Sequence, residues 1–386
     1  MRVGFVAPSL DDTTGWGRWV NDLLKYVVDA GVSPVVFAPP SSAAHWNVGT
    51  SGCDVHFVLP ELFDWVQSSS GVSRLLAGAS ALRKIPVERF GLKLVHSLDA
   101  HPFGLYGDWV ALRAGVPHVL TTHGRYGYIA EQRLIDRVLF RRVLRRAAAM
   151  VAVSDAVRQA VLRTFRAQIG TRLEVLQNPI DAAAFALEGP PPPDLIAGGP
   201  VIVSVTRFTP VKDIETAVRA FRLVRAEIPD ARYCIVGPGN GERNAYFRLV
   251  RDLIAREGIR GVQIVGRVDK AQLSAYYRRA MLLVHTARTL PDDFEASGLI
   301  LLEAGLFDLP VVASASGGIA EVVEDGVTGR LVQEGDVAAL AAAIVELIED
   351  SERRRQMGHN NHMRALQRNW RDYTNAQVAL YKRVAS

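Results

Sequence analysis

The chain has 386 residues, 49% of them hydrophobic, and carries 45 Lys and Arg against 40 Asp and Glu, a net charge of +5. That length exceeds what a single core usually serves, so two domains are expected, and no apolar run approaches the ~18 residues of a membrane span. The mild basic balance, with no aromatic residues alternating along a basic stripe, argues against a nucleic-acid partner. Cys53 and Cys234 are too few and too far apart for a disulfide framework or a metal site, which fits a reducing, cytoplasmic setting. Cys234 lies in an apolar run and reads as a plain core residue.

Residues 2–8 form a short apolar strand that runs into Asp11 and Asp12, a strand and loop rather than a signal peptide. A glycine-bearing loop follows, with Gly15, Trp16, Gly17, Arg18 and Trp19, and then a helical pattern through Leu23, Leu24, Val27 and Val28. Strand, glycine loop and helix make the first unit of a doubly wound domain. The glycines would let a phosphate or sugar approach the backbone, although the spacing is not that of a dinucleotide fingerprint. Trp16 and Trp19 read equally well as packing residues or as platforms for a sugar ring.

Further strands are expected at Ser33–Ala38, 54–59, 92–96 and His118–Thr122, each bounded by turn residues or helical stretches. Residues 61–90 are polar and irregular, and read as a mobile excursion or an acceptor loop. The His118–Thr122 strand ends in His123, and the carboxyl ends of strands are where α/β sheets bind ligands. Taken alone, His123 reads as a satisfied structural histidine.

Residues 131–146 are helical, with Leu134, Ile135, Val138, Leu139 and Val143 on one side and six arginines around it. This is either a core-packed helix with a solvated charged face or a basic amphipathic helix that lies on anionic membrane. Residues 1–187 hold 20 Lys and Arg against 15 Asp and Glu, leaving 25 against 25 beyond, so the basic excess sits in the half that carries this helix. Strands at 150–153 and 174–176 close the first half, ending in Asn178-Pro179-Ile180-Asp181. A Pro- and Gly-rich linker spans 188–200.

The pattern restarts at Val201–Val205, which leads to Arg207 and Lys212 and then a helix through Ala226. Arg232–Val236 ends in Gly237-Pro238-Gly239, a strand at 262–265 ends in Gly266-Arg267-Val268, and Leu282–His285 leads into the richest stretch of the chain. There Glu295 and Glu303 flank Ser297 and Gly298, followed by Leu309-Pro310-Val311-Val312, Gly317-Gly318 and Glu321 to Gly329. The expected arrangement is a loop carrying Glu295 and a helix that starts near Ser297 or Gly298, with Ser297 as its cap and Glu303 inside it. The N–H groups of Gly298, Leu299 and Ile300 would then form an anion site. A carboxylate on each side of an anion site suits a molecule with phosphate in the middle and hydroxyl-rich groups at both ends, as in a nucleotide-sugar. An Ala-rich helix at 337–348 and an amphipathic one at 369–381 complete the chain.

This block closely resembles the retaining glycosyltransferases of family 4, and the likeness extends with gaps from residue 1 to about 384. It implies the GT-B fold: two Rossmann-like doubly wound domains facing a cleft, with a C-terminal helix crossing back to the first. The expected domains are 1–187, on the acceptor side; a linker at 188–200; a nucleotide-sugar domain at 201–368; and a returning helix at 369–386. The departures are Ser297 where an aromatic residue or Cys is usual, and Asp213, Asp308 and Pro179 where Gly is usual.

By resemblance, Arg207 and Lys212 clamp the donor diphosphate, assisted by Gly298, Leu299 and Ile300 and faced by Gly15 and Gly17. Fixed cations there would stabilise the leaving diphosphate in place of a metal. Glu303 would hold the ribose, with Gly237, Gly239, Arg267 and Val268 near the nucleoside. Glu295 and His123 would orient the sugar, so that the catalytic set is Glu295, His123, Arg207 and Lys212. Trp16, Arg18 and Trp19 are the acceptor candidates. The implied activity is retaining hexosyl transfer from a UDP-, GDP- or ADP-sugar to a carbohydrate or lipid-linked acceptor, with no metal or other cofactor. Its setting would be cell-surface polysaccharide or glycolipid synthesis on the cytoplasmic side, with the basic helix as a peripheral membrane contact. A nucleoside-diphosphate-sugar 2-epimerase of the same fold and a non-catalytic sugar-nucleotide binder are the competing readings.

Overall fold

The computed structural model describes the whole chain except residues 12–13, 45, 47–51, 62–77, 79, 84, 128–133, 187–188, 190–197 and 239–242. In chain order the first half runs β1 (Arg2–Val6), α1 (Gly15–Asp29), β2 (Ser33–Ala38), β3 (Asp54–Phe57), β4 (Leu94–Ser97), α2 (Phe103–Ala114), β5 (His118–Thr122), α3 (Leu134–Arg146), β6 (Ala149–Ala152), α4 (Asp155–Ile169) and β7 (Leu173–Val175). The second runs β8 (Val201–Val205), α5 (Ile214–Glu227), β9 (Arg232–Val236), α6 (Ala245–Arg256), β10 (Val262–Gly266), α7 (Lys270–Arg279), β11 (Leu282–His285), α8 (Leu299–Gly305), β12 (Val311–Ser314), α9 (Ile319–Val322), β13 (Gly329–Val332), α10 (Val337–Glu349) and α11 (Ser351–Leu366). The chain ends in α12 (Trp370–Ala385).

By its contacts the chain divides into Met1–Gln177 with Trp370–Ser386, and Asn178–Asn369. The sequence reading drew the first boundary at 187; the contacts draw it after Gln177. Most of the expected linker, and most of the irregular stretch at 61–90, lies outside the described residues.

The first unit holds a parallel sheet in the order β3-β2-β1-β4-β5-β6-β7, and the second a parallel sheet in the order β10-β9-β8-β11-β12-β13. Both wind outward in two directions from a central pair, β1 and β4 in one, β8 and β11 in the other. At such a reversal two neighbouring connections leave on opposite faces, and a crevice opens at the strands' carboxyl ends. The strands are apolar on both sides because both faces are covered. In the second unit Tyr233 and Ile235 face one cluster with Phe221 and Leu340, while Cys234 and Val236 face the other with Tyr277 and Leu301. Cys234 is a core residue, as its surroundings in the sequence suggest.

α12 closes one face of the first sheet. Trp370 stacks on Tyr26 with ring centroids 5.6 Å apart and tilts against Trp19 at 6.0 Å. The Tyr381 hydroxyl meets His96 Nδ1 at 2.7 Å, while His96 Nε2 meets Thr121 Oγ1 at 2.8 Å. The tail is thus tied to strands β4 and β5 by polar bonds inside an apolar layer, where leaving any of these groups unpaired would cost stability.

The orientation of α3 departs from expectation. Phe140, Val143 and Leu144 face the core together with Asp136, while Leu134, Ile135 and Val138 are 65%, 43% and 59% exposed. A helix this rich in both apolar and basic residues has two candidate apolar stripes, and periodicity does not choose between them.

Burial pushes His96 and His118 down to about 3, so both are neutral in the folded unit near neutrality. It pushes Asp99 up to about 8. His123, in the same unit, is pushed down as well, to about 4, so between about 4 and 6.5 the unfolded chain binds three more histidine protons than the folded one. Between about 4 and 8 the folded chain binds one more at Asp99. The histidine contribution is complete above pH 6.5 and is lost as pH falls; that of Asp99 runs the opposite way. All six tryptophans lie in the first unit, so their fluorescence reports its unfolding alone. Its melting temperature should fall from pH 6.5 to 4, and Asp99→Asn should steepen that fall. A flat profile would contradict the neutral buried histidines.

Candidate active site

The carboxyl edge of the second sheet gathers the residues singled out in the sequence. Beyond β8, Arg207 is exposed, and a single 3-10 turn, Pro210–Lys212, brings Lys212 back over the strand ends. This loop is fixed by the adjacent strand. Thr286 Oγ1, just past β11, donates to the Lys212 carbonyl at 3.0 Å, and the Arg288 N–H donates to the Val211 carbonyl at 2.9 Å. β8 and β11 are the pair at which the sheet reverses direction, so Lys212 stands over the crevice.

Lys212 forms an ion pair with Glu295, with side chains 15% and 11% exposed. The same carboxylate oxygen, Oε2, lies 3.0 Å from His285 Nε2 at the end of β11, and Oε1 accepts the Gly298 N–H at 3.4 Å. Burial pushes the Glu295 carboxyl up, but the Lys212 ammonium and the His285 hydrogen bond outweigh it and hold the group well below the usual range. Glu295 is an anion at any physiological pH. Burial pushes His285 down in spite of the carboxylate, so the ring is neutral and its Nε2 carries the donated proton. The Glu295 main chain is held from the other side by Gly317 and Gly318. The Gly318 N–H donates to the Glu295 carbonyl at 2.8 Å, and a Cβ on Gly317 would lie 2.2 Å from that oxygen. Only a residue without a Cβ fits at Gly317.

Glu303 sits inside α8, and its Oε2 accepts the hydroxyl of the buried Tyr277 at 2.9 Å. The expected cap differs. Ser297 does not cap α8; its hydroxyl accepts the Asn178 amide at 3.2 Å. The N-cap is Gly298, at φ 56° and ψ 45°, with no side-chain cap bond. A left-handed residue at this position turns the chain into the helix without a capping side chain, and a Cβ there would meet Leu301 Cδ1 at 2.6 Å. Because the Gly298 N–H is turned toward Glu295, Leu299 and Ile300 are left to open the helix N-terminus.

Gly237 occupies a tight junction of three strand ends. Its N–H donates to the Gly266 carbonyl at 2.8 Å, and a Cβ would fall 1.8 Å from the Thr206 carbonyl. Arg267 is exposed and Val268 half-buried just beyond. Gly239 lies outside the described residues.

Sequence reasoning missed His285, Tyr277, Asn178 and Arg288. The usable signal for His285 was its place at a strand end, the same signal that singled out His123. Arg288 forms an ion pair with Asp213, which is fully buried at φ 41° and also accepts the Thr216 hydroxyl at 2.8 Å.

Several residues of the first unit take other roles than expected. The segment from Gly15 to Trp19 is not a loop but the opening of α1, whose N-cap Thr14 accepts the Gly17 N–H at 2.9 Å. Gly17 is needed for packing, since a Cβ would lie 2.0 Å from the Asp11 carbonyl; Gly15 is exposed, with open space around it. Trp19 is 5% exposed and packs edge-on against His123, with centroids 4.4 Å apart, so it is a core residue rather than a sugar platform. Trp16 and Arg18 are half-buried on the first turn of α1. His123 is pushed down to about 4 by burial, and its Nε2, shielded from solvent, has no hydrogen-bond partner among the described residues. Among the described residues no three His, Cys, Asp or Glu side chains cluster as metal ligands, and no helix is long and apolar enough to cross a membrane.

Residues 192–364 match the family described as Glycosyl transferases group 1, and residues 13–184 match Glycosyltransferase Family 4. The chain therefore belongs to glycosyltransferase family 4; it is a glycosyltransferase with the GT-B fold. It is 30% identical to the GDP-mannose-dependent alpha-(1-6)-phosphatidylinositol monomannoside mannosyltransferase of Mycolicibacterium smegmatis, over 67% of this chain and 68% of that one. It is 29% identical to the alpha-maltose-1-phosphate synthase of the same organism, over 73% and 77%. Among solved structures, HepE of Anabaena, in complex with UDP and glucose, superposes with a TM-score of 0.75 at 21% identity, covering 98% of each chain.

The latch between Asp213 and Arg288 can be measured alone. Arg288→Ala leaves a buried carboxylate without its cation, while Asp213→Gly supplies the residue best suited to φ 41°. Urea unfolding of both single variants and the double variant should give a coupling of about 1–3 kcal/mol, with the double variant more stable than Arg288→Ala. Additive effects would mean that the pair carries no stability.

Proposed function

We propose that this glycosyltransferase takes a sugar from a nucleoside diphosphate with retention at the anomeric carbon. The observation that carries the reading is the set Lys212, Glu295 and His285 at the reversal point of the second sheet, with Arg207 on the same loop as Lys212 and Glu303 one helix further on. In this reading Arg207 and Lys212 hold the diphosphate, with Leu299 and Ile300 at the helix opening. Glu303 accepts from the ribose hydroxyls, beside Gly237, Arg267 and Val268. Glu295 meets the sugar. The bond from the anomeric carbon to the diphosphate oxygen breaks, and a bond to the acceptor hydroxyl forms on the same face. The hydroxyl proton passes to the departing diphosphate. Fixed cations stabilise the charge gathering on that diphosphate because they need no reorganisation as the bond breaks. The reading assigns that work to side chains and requires no metal.

Two of the relatives support a sugar-nucleotide donor and a glycolipid or oligosaccharide setting: one is named for GDP-mannose and a phosphatidylinositol acceptor, and HepE is complexed with UDP. A thermal-shift panel of UDP, GDP and ADP with EDTA should show one of them stabilising the protein. Ligand at 100 times its Kd adds about 2.7 kcal/mol. Lys212→Ala should abolish that shift and raise the barrier to transfer by roughly 2–4 kcal/mol. Stabilisation only in the presence of a divalent ion, or full activity in Lys212→Ala, would contradict the clamp.

We further propose that α3 rests on an anionic lipid surface. Its exposed stripe is apolar at the start, with Leu134, Ile135 and Val138, and basic at the end, with Arg142 and Arg145. Apolar side chains inserting between headgroups beside cations that meet lipid phosphates is the chemistry of an interfacial helix. Flotation with phosphatidylcholine vesicles should require added phosphatidylglycerol, and should be lost both in Leu134/Ile135/Val138→Gln and in Arg142/Arg145→Gln, each arginine contributing about 1 kcal/mol. Flotation unchanged in both variants would dispose of the lipid contact.

A further inference from the structure

Lys212 is paired with Glu295 across the strand ends. Its partner, Glu295, is 11% exposed, and a carboxylate so placed is costly to leave without a cation or full hydrogen bonding. If Lys212 is to meet a diphosphate, something must hold Glu295 when the ammonium turns away. Two groups are in place to do so. His285 Nε2 is 3.0 Å from Oε2, the oxygen that Lys212 also contacts, and the Gly298 N–H reaches Oε1. The two differ in rigidity from Lys212. His285 ends β11, a strand paired on one side with β8 and on the other with β12, and its side chain is 1% exposed. Lys212 sits on a short turn with a long flexible side chain. The charged groups facing Glu295 are Lys212, from the loop after β8, and the titratable His285, from β11. Asp213 and Arg288 close on each other beside them.

We propose that Lys212 changes partners when the donor binds, leaving Glu295 for the diphosphate, and that His285 is the positioning residue that keeps the Glu295 carboxylate in register after the exchange. The inference rests on the assignment of Lys212 to the diphosphate. It makes the Lys212–Glu295 pair charge-neutral, and makes the arrival of the diphosphate the event that turns Glu295 from a counter-ion into a group available to a sugar hydroxyl. A neutral imidazole suits the part. It donates one hydrogen bond to the carboxylate without competing with the phosphate for the lysine, and without adding a second fixed cation.

The exchange has a consequence that a static supporting pair does not. Removing the charge of Glu295 frees Lys212, so Glu295→Gln should bind nucleoside diphosphate more tightly while losing sugar turnover. Calorimetric titration with UDP and with GDP, alone and as UDP-glucose and GDP-mannose, reads this directly. We expect Glu295→Gln to bind the preferred diphosphate about threefold or more tightly than the parent. Weaker binding would overturn the exchange, because it would mean that Glu295 holds Lys212 in its binding position. His285→Leu should keep diphosphate affinity within about twofold, and lower kcat for donor turnover with little change in KM. It should also move the acid limb of the pH profile upward, since Glu295 loses a donor that favours its anion. His285→Gln, which restores an N–H, should recover most of the rate. Parental kcat and pH profile in His285→Leu would remove His285 from this role. If the parent protein binds neither UDP nor GDP, the diphosphate assignment itself fails, and the exchange with it.

Discussion

A carboxylate that water barely reaches has to be given its partners by the fold, and Glu295 draws them from three separate places. Lys212 comes from the turn after β8, His285 from the end of β11 and the Gly298 N–H from the entry to α8. All three must be in register within a hydrogen-bond length. The pairing of β8 with β11 sets the first two, and the bonds from Thr286 and Arg288 to the Lys212 turn fix the loop between them. The Gly318 N–H and the close approach of Gly317 hold the Glu295 main chain itself. The charge of one side chain thus organises the ends of the central strands, and those ends lie where a doubly wound sheet opens its crevice.

The two non-glycine residues with positive φ among the described residues are Asp213 at 41° and Asp308 at 54°. Both are positions where the family resemblance leads one to expect glycine, and both adopt the left-handed turn that glycine makes most cheaply. Asp tolerates this region better than most side chains do, because its short polar group can hydrogen-bond locally. At Asp213 the substitution adds something that glycine does not have: a buried carboxylate that takes Arg288 and the Thr216 hydroxyl, and so ties the Lys212 turn to the segment after β11.

The fold was legible because its signals are local. Apolar runs with turn residues between them gave Ser33–Ala38, His118–Thr122, Val201–Val205, Arg232–Val236 and Leu282–His285 as strands, and the two-domain doubly wound architecture follows from their alternation with helices. What the sequence did not show is which face of an element is buried. On α3 two apolar stripes compete, and the one that won includes Asp136. Trp19 and Gly17 are core and packing residues because the helix begins at Gly15, earlier than the glycines suggested. Ser297 is a good capping residue by type, yet Gly298 makes the turn by conformation alone, and nothing in residue preference separates those outcomes. His285 was hidden by its own strand. At the end of an apolar run it looks like a core position, and only the return of Glu295 gives its ring a carboxylate.

The two units were unequally readable for a chemical reason. A diphosphate calls for fixed cations and main-chain donors, and a ribose calls for an acceptor of two hydroxyl protons. These demands select residue types, but it is the family resemblance, not kind or spacing alone, that singles out Arg207, Lys212 and Glu303 as the residues expected to meet them. An acceptor hydroxyl makes no such demand, because any oxygen or nitrogen at the right distance can hold it, and specificity then rests on the shape of loops. The first unit accordingly offered a histidine and a few aromatic residues that packing could claim as easily as a ligand. Packing did claim Trp19. His123 lies against it, and burial keeps its imidazole neutral, so it can only donate or accept a hydrogen bond. A neutral group adds little electrostatic binding energy of its own, whereas the buried ion pair of Lys212 and Glu295 concentrates charge at one point of the second unit.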